Sequence, residues 1–71
     1  MSINHLVDIA SPTIHSFKAR RIALGLSQEK LAHLAGISLG SYALIEAGKR
    51  DPRDSTVRRI RAALAAAEAA A

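Results

Sequence analysis

"SQEKLAHLAGIS", residues 27–38, holds a complete short helix with its own start and stop, followed at once by the start of another. Ser27 offers a side-chain acceptor to the first free N–H groups, and Glu29 puts negative charge in the first turn. Leu31, Leu34 and Ala35 recur at helical spacing and are expected to face inward, and Gly36 ends the run. Ser38 then repeats the capping signal. A connection as short as "AGIS" forces the two helices to cross steeply and leaves one of them exposed. Gly36 supplies the positive φ that a residue with a Cβ adopts only at a cost. Ala32, one turn earlier, is small enough to let the next helix approach. Leu31, Ala35, Ile37, Tyr42 and Ile45 are the expected apolar contacts.

The same punctuation continues on both sides. Upstream, "SPTIHSFKARRIALG" has Ser11 as N-cap and Pro12 at the first helical position, and Gly25 closes it. Ile14, Phe17 and Arg21 share one face. Downstream, "ISLGSYALIEAGKR" is capped by Ser38, runs to Ala47 and stops at Gly48. "DPRDSTVRRIRAALAAAEAAA" opens in an Asp-Pro turn and starts a last helix near Asp54 or Ser55, with Val57, Ile60 and Leu64 as its apolar stripe. Its alanine-rich end favours helix strongly but has little bulk to bury. Residues 1–10 are an arm of undecided structure: Ile3, Val7 and Ile9 alternate as in a strand, whereas Ile3, Leu6 and Val7 fit a helical face. Nothing favours an extended sheet, and no internal repeat is visible.

The 71 residues suffice for one small domain with a modest core, which a second copy could supplement. There is no cysteine, hence neither a disulfide nor a thiolate metal site. His5, His15 and His33 are too scattered to suggest zinc by spacing. No apolar run approaches the ~20 residues of a membrane span, and "MSINHLVDIAS" is a poor signal peptide, so a soluble cytoplasmic protein is expected. The formal net charge is +4 and the pI about 10.4, a footprint expected of nucleic-acid binders though not diagnostic alone. From Lys49 to Arg61 there are six Lys/Arg against two Asp. Phe17 and Tyr42 are the only aromatics, which argues against a stacking platform for single strands.

"RRIALGLSQEKLAHLAGIS" together with "IEAGKRDP" resembles the phage-repressor and Cro-like helix-turn-helix proteins, also called the xenobiotic-response-element family. The likeness runs from about Phe17 to Leu64. It implies an all-α fold, a small four- to five-helix bundle of the lambda-repressor-like type. The implied organisation is an arm at 1–10, a helix-turn-helix DNA-binding domain at 11–65 and an alanine-rich helical tail at 66–71. The implied function is a sequence-specific double-stranded DNA-binding transcriptional regulator, a dimeric repressor acting on a palindromic operator through the helix at 38–47 and associated with the nucleoid.

Roles transfer position by position. Gln28, opening the second helix, can reach a phosphate beside backbone N–H groups and the positive helix end; otherwise it is a solvated first-turn residue. Ser38 and Ser41 lie at the front of the helix that enters the major groove, Ser38 with its hydroxyl shared between capping and DNA. Leu39 can press on thymine methyl groups, Gly40 can let the backbone come close, and Leu44 is a further exposed apolar contact. Lys49 and Arg50 are expected to grip phosphate, with Arg20 or Arg53 as further candidates. The likeness also implies that Arg21 and Glu46 pair structurally, joining the first helix to the end of the third. Tyr42 falls in an inward phase, so its ring is expected in the core with the hydroxyl reaching the rim. His33 reads as solvated, and Arg58, Arg59 and Arg61 as a wet helix face.

The third helix departs from the family habit, which places polar residues where Leu39, Gly40, Ala43 and Leu44 stand. Specificity then comes from apolar readout or from DNA shape; alternatively the leucines serve a protein partner, as in an antitoxin or co-regulator. An enzyme is not expected: there is no Gly-rich phosphate loop and no nucleophile–base arrangement. No cofactor, metal or small-molecule ligand is expected either, and the alanine face of the last helix is too weak for membrane insertion.

Overall fold

A computed structural model describes the backbone from residue 12 onward and side chains from residue 17 onward. The arm at 1–10, the Ser11 cap and the Ile14 side chain lie outside the described residues. Four helices follow in order: α1 (Pro12–Ala23), α2 (Gln28–Ala35), α3 (Leu39–Glu46) and α4 (Asp54–Ala70). No strand occurs among the described residues, so the fold is an all-α bundle.

Three helices end in the same way. After α2, the Ile37 N–H donates to the Ala32 carbonyl at 3.0 Å and the Gly36 N–H to His33 at 3.1 Å, with Gly36 at φ 73°. The pair of bonds satisfies carbonyls that the helix end would leave free, and it needs a left-handed residue at the glycine position. Matching bonds close α1 (Leu26 to Arg21, Gly25 to Ile22) and α3 (Lys49 to Leu44, Gly48 to Ile45). The residue after the glycine differs. Leu26 and Ile37 pack against the core, whereas Lys49 is exposed. The third closure therefore turns the chain outward into a basic loop instead of folding it back.

Starts follow the expected chemistry in two cases. The Ser27 hydroxyl accepts the Lys30 N–H at 2.9 Å, and the Ser38 hydroxyl accepts the Ser41 N–H at 3.1 Å. α4 begins after Arg53 without a side-chain cap, and Asp54 supplies negative charge to its first turn.

The core comprises Phe17 from α1, Leu31, Ala32 and Ala35 from α2, Tyr42 and Ile45 from α3, and Ile60, Ala63 and Leu64 from α4, with Leu24, Leu26, Ile37 and Val57 packed around it. Leu34 does not join them: it is 46% exposed. At roughly 100° per residue, Leu31, Ala35 and Ala32 define one arc, and Leu34 lies on the far side of Leu31 from Ala32. The buried face is turned toward the alanines, Ala32 and Ala35, and away from Leu34. Tyr42 departs from expectation in another way. The ring is fully buried, but the hydroxyl is buried too, with no hydrogen-bond partner, instead of reaching the rim.

α4 runs unbroken to Ala70, and its far end is fastened. The Arg20 guanidinium donates to both oxygens of Glu68, at 2.8 and 2.7 Å. No helix among the described residues is long and apolar enough to cross a membrane.

Candidate nucleic-acid interface

α3 has one face inside and one outside. Tyr42, Ile45 and Glu46 are buried, while Leu39 and Leu44 are 45% and 36% exposed. Ser38 and Gly40 are exposed with them, and Ser41 is half-buried. A Cβ on Gly40 would meet nothing within 4 Å and its φ is not positive, so no contact inside the subunit requires glycine there. Apart from the half-buried Ala43 and the exposed Ala47 that ends α3, this surface is two leucines, a glycine and two hydroxyls.

Both hydroxyls are engaged as acceptors. Ser38 Oγ takes the Ser41 N–H, and Ser41 Oγ takes a hydrogen from Arg50 Nη1 at 3.0 Å. Each keeps its own O–H hydrogen, which remains free to donate outward. Arg50 thus lies back along the helix from its loop. With Ile37, Ser41, Ile45, Asp51, Pro52, Arg53 and Thr56 it lines a shallow groove, in which Asp51 is the one anionic side chain.

Gln28 is half-buried at the start of α2, and its Nε2 donates to Glu46 Oε1 at 3.1 Å. Neither a free, solvated amide nor one wholly given to a phosphate describes it. One amide hydrogen is tied inward and the other remains. Glu46 is the hub of this region. Arg21 Nε and Nη2 donate to its two oxygens at 3.0 and 2.8 Å, and Arg21 Nη1 reaches the Leu26 carbonyl at 2.7 Å. Arg21 and Glu46 therefore form a bidentate pair whose side chains are only 12% and 4% exposed. Burial alone would raise the Glu46 carboxyl. The bonds from Arg21 and Gln28, with the nearby Tyr42 phenol, outweigh burial and hold it down to about 2. Burial pushes the Tyr42 phenol up, with Glu46 adding to the effect; the hydroxyl sits beside the pair without a well-formed bond to it.

The charged rim is Lys49, Arg50 and Arg53, all exposed and none in an ion pair among the described residues. Arg20 does not belong with them, because Glu68 already neutralises it. Arg58, Arg59 and Arg61 are exposed on α4, and His33 is exposed on α2. Two arrangements have no counterpart in the sequence pattern: the Gln28–Glu46 bond across 18 residues and the Arg20–Glu68 pair across 48. Phase along a helix gives no sign of either.

A family model described as helix-turn-helix matches residues 17–66. No curated protein and no solved structure matches the chain.

Proposed function

Because the chain belongs to the phage-repressor and Cro-like helix-turn-helix family of DNA-binding transcriptional regulators, we propose that it is a dimeric, sequence-specific repressor of a palindromic operator. The observation that carries this reading is the division of α3, whose buried face locks it to the bundle while Ser38, Leu39, Gly40 and Leu44 are exposed and Ser41 lies half-buried at the edge. α3 lies in the major groove. Leu39 and Leu44 supply apolar contact to thymine methyl groups, and the serine hydroxyls donate to base or phosphate acceptors. Gly40 lets the backbone approach. Gln28, with its remaining amide hydrogen, and Lys49, Arg50 and Arg53 hold phosphates on either side. Two copies related by a two-fold axis place their α3 helices ~34 Å apart, one turn of the duplex. The protein acts in the cytoplasm, on the nucleoid.

The test is selection from random duplexes with the purified chain, followed by titration of the winning site. The expected result is a palindromic consensus whose thymines matter through their methyl groups. Uracil replacement should weaken the wild type several-fold, weaken Leu39→Ala less, and leave the Leu39→Ala/Leu44→Ala double variant unaffected, a difference on the scale of apolar base contacts. A pool that shows no enrichment at low salt rejects the reading.

The competing reading, an antitoxin or co-regulator whose main ligand is a protein, draws on Leu34 and Ile22, exposed at 46% and 57% and outside the α3 surface. It gains if Leu34→Ser and Ile22→Ser abolish regulation in cells while operator affinity stays intact.

A further inference from the structure

Arg50 spends a guanidinium N–H on a neutral hydroxyl although Asp51 stands next to it in the chain. The hydroxyl it chooses is that of Ser41, whose backbone N–H is already held by Ser38. A cationic donor on a serine oxygen polarises that hydroxyl: the oxygen becomes a poorer acceptor for a second donor, and its O–H hydrogen becomes a better one. The same contact fixes where the hydrogen can point, since one lone pair is pinned toward the 49–53 loop. The half-buried Ser41 side chain has little room to turn away.

We propose that Arg50 is a specificity-determining residue that acts through Ser41, making it a hydrogen donor to the base edge it faces. Ser41 then favours a guanine or thymine, whose O6 or O4 accepts, over a cytosine, which presents only its N4 amino donor there. An unbraced serine can donate or accept and would distinguish these bases poorly. Arg50 also contributes its charge to phosphate binding through its other N–H groups, so its loss has two components. One is uniform across sequences, and the other falls on a single base position.

This inference rests on the major-groove reading above, and the experiment separates the two. Starting from the selected operator, every single-base substitution is titrated against the wild type, Ser41→Ala, Arg50→Ala, Arg50→Lys and the Ser41→Ala/Arg50→Ala double variant, with thermal melts to check folding. The wild type is expected to discriminate on the order of fivefold against cytosine at one position per half-site, a fraction of a full bidentate contact. Ser41→Ala and Arg50→Ala should both flatten that same position, and the double variant should flatten it no further. Arg50→Lys should recover most of the overall affinity and leave the position flat, because a flexible, strongly hydrated ammonium restores charge without pinning the Ser41 oxygen in one direction. It also supplies the profile if Arg50→Ala binds too weakly to titrate. If Arg50→Ala and Arg50→Lys lower affinity by one factor at all positions, Arg50 is a phosphate contact alone and the inference is overturned. It is overturned equally if Ser41→Ala and the Arg50 variants alter different positions. Absence of any selected operator removes the major-groove reading and this inference with it.

Discussion

A carboxylate buried as deeply as Glu46 would ordinarily bind a proton; bonds from Arg21 and Gln28 keep it ionised. Its value in the fold is depressed from 4.5 to about 2, so the stabilisation is complete above pH 4.5 and is lost as the pH falls through about 2. Melting temperature should therefore decline across that interval, and Glu46→Gln should flatten this part of the decline. Glu46→Ala is more severe. It leaves the Arg21 charge without its partner, a loss on the order of 3 kcal/mol, which is a large share of what so small a domain has. A chemical-denaturation midpoint unchanged by Glu46→Ala would refute that role. Gly40 makes the opposite case. Nothing inside the subunit occupies the space of a Cβ there, so Gly40→Ala should stabilise the free protein by up to about 1 kcal/mol through helix propensity. Operator affinity should fall in the same variant, because in the proposed major-groove arrangement the added methyl stands in the path of the duplex. A variant both more stable and equally tight would remove Gly40 from the interface.

The α2–α3 unit depends on one backbone conformation. Gly36 at φ 73° has open space around its Cβ position, so the cost of a side chain there is conformational alone. Gly36→Ala should destabilise by about 1 to 2 kcal/mol, the ordinary penalty for a left-handed residue with a Cβ. That corresponds to a drop of several degrees in a thermal melt, and Gly36→Asn should recover part of it. A melt unaltered by Gly36→Ala would mean that the turn does not need this geometry. The turn also shows where the sequence is informative. Serine caps, glycine stops and the Gly36 turn are local, each settled by a few adjacent residues, so helix ends can be placed within a residue or two. Leu34 departs from its expected place for a related reason. Spacing identifies which residues share a face, but the neighbours decide how far that face is rotated, and here it turns toward Ala32 and Ala35. The burial of the Tyr42 hydroxyl has no local sign, because the Arg21–Glu46 region that encloses it comes from other segments. Gln28 on Glu46 and Arg50 on Ser41 are likewise meetings between separate segments. Residue type and phase indicate that such groups are available, and only the assembled bundle shows which partner each takes.

At the scale of the molecule, charge and symmetry set how binding responds to salt. The net charge of +4 is not spread evenly: among the described residues, the cations next to α3 that lack ion-pair partners are Lys49, Arg50 and Arg53, while Arg20 and Arg21 are neutralised by Glu68 and Glu46. Three phosphates neutralised per subunit give a monomer a slope of log K against log salt of about −3, and a two-fold dimer about −5. Between 50 and 200 mM salt these correspond to losses of roughly sixtyfold and roughly a thousandfold. The slope therefore reports how many copies engage the operator. We expect the steeper value, since a bundle whose core includes three alanines and a single recognition helix gives one subunit little binding surface. Lys49→Ala deletes one cation from each copy, so a dimer should lose about two units of slope and a monomer about one. Affinity should fall alike on every sequence, because a phosphate contact carries no base information. A slope near −3 that Lys49→Ala reduces by one unit would assign a single subunit to each operator, and the palindromic, dimeric reading would have to be given up.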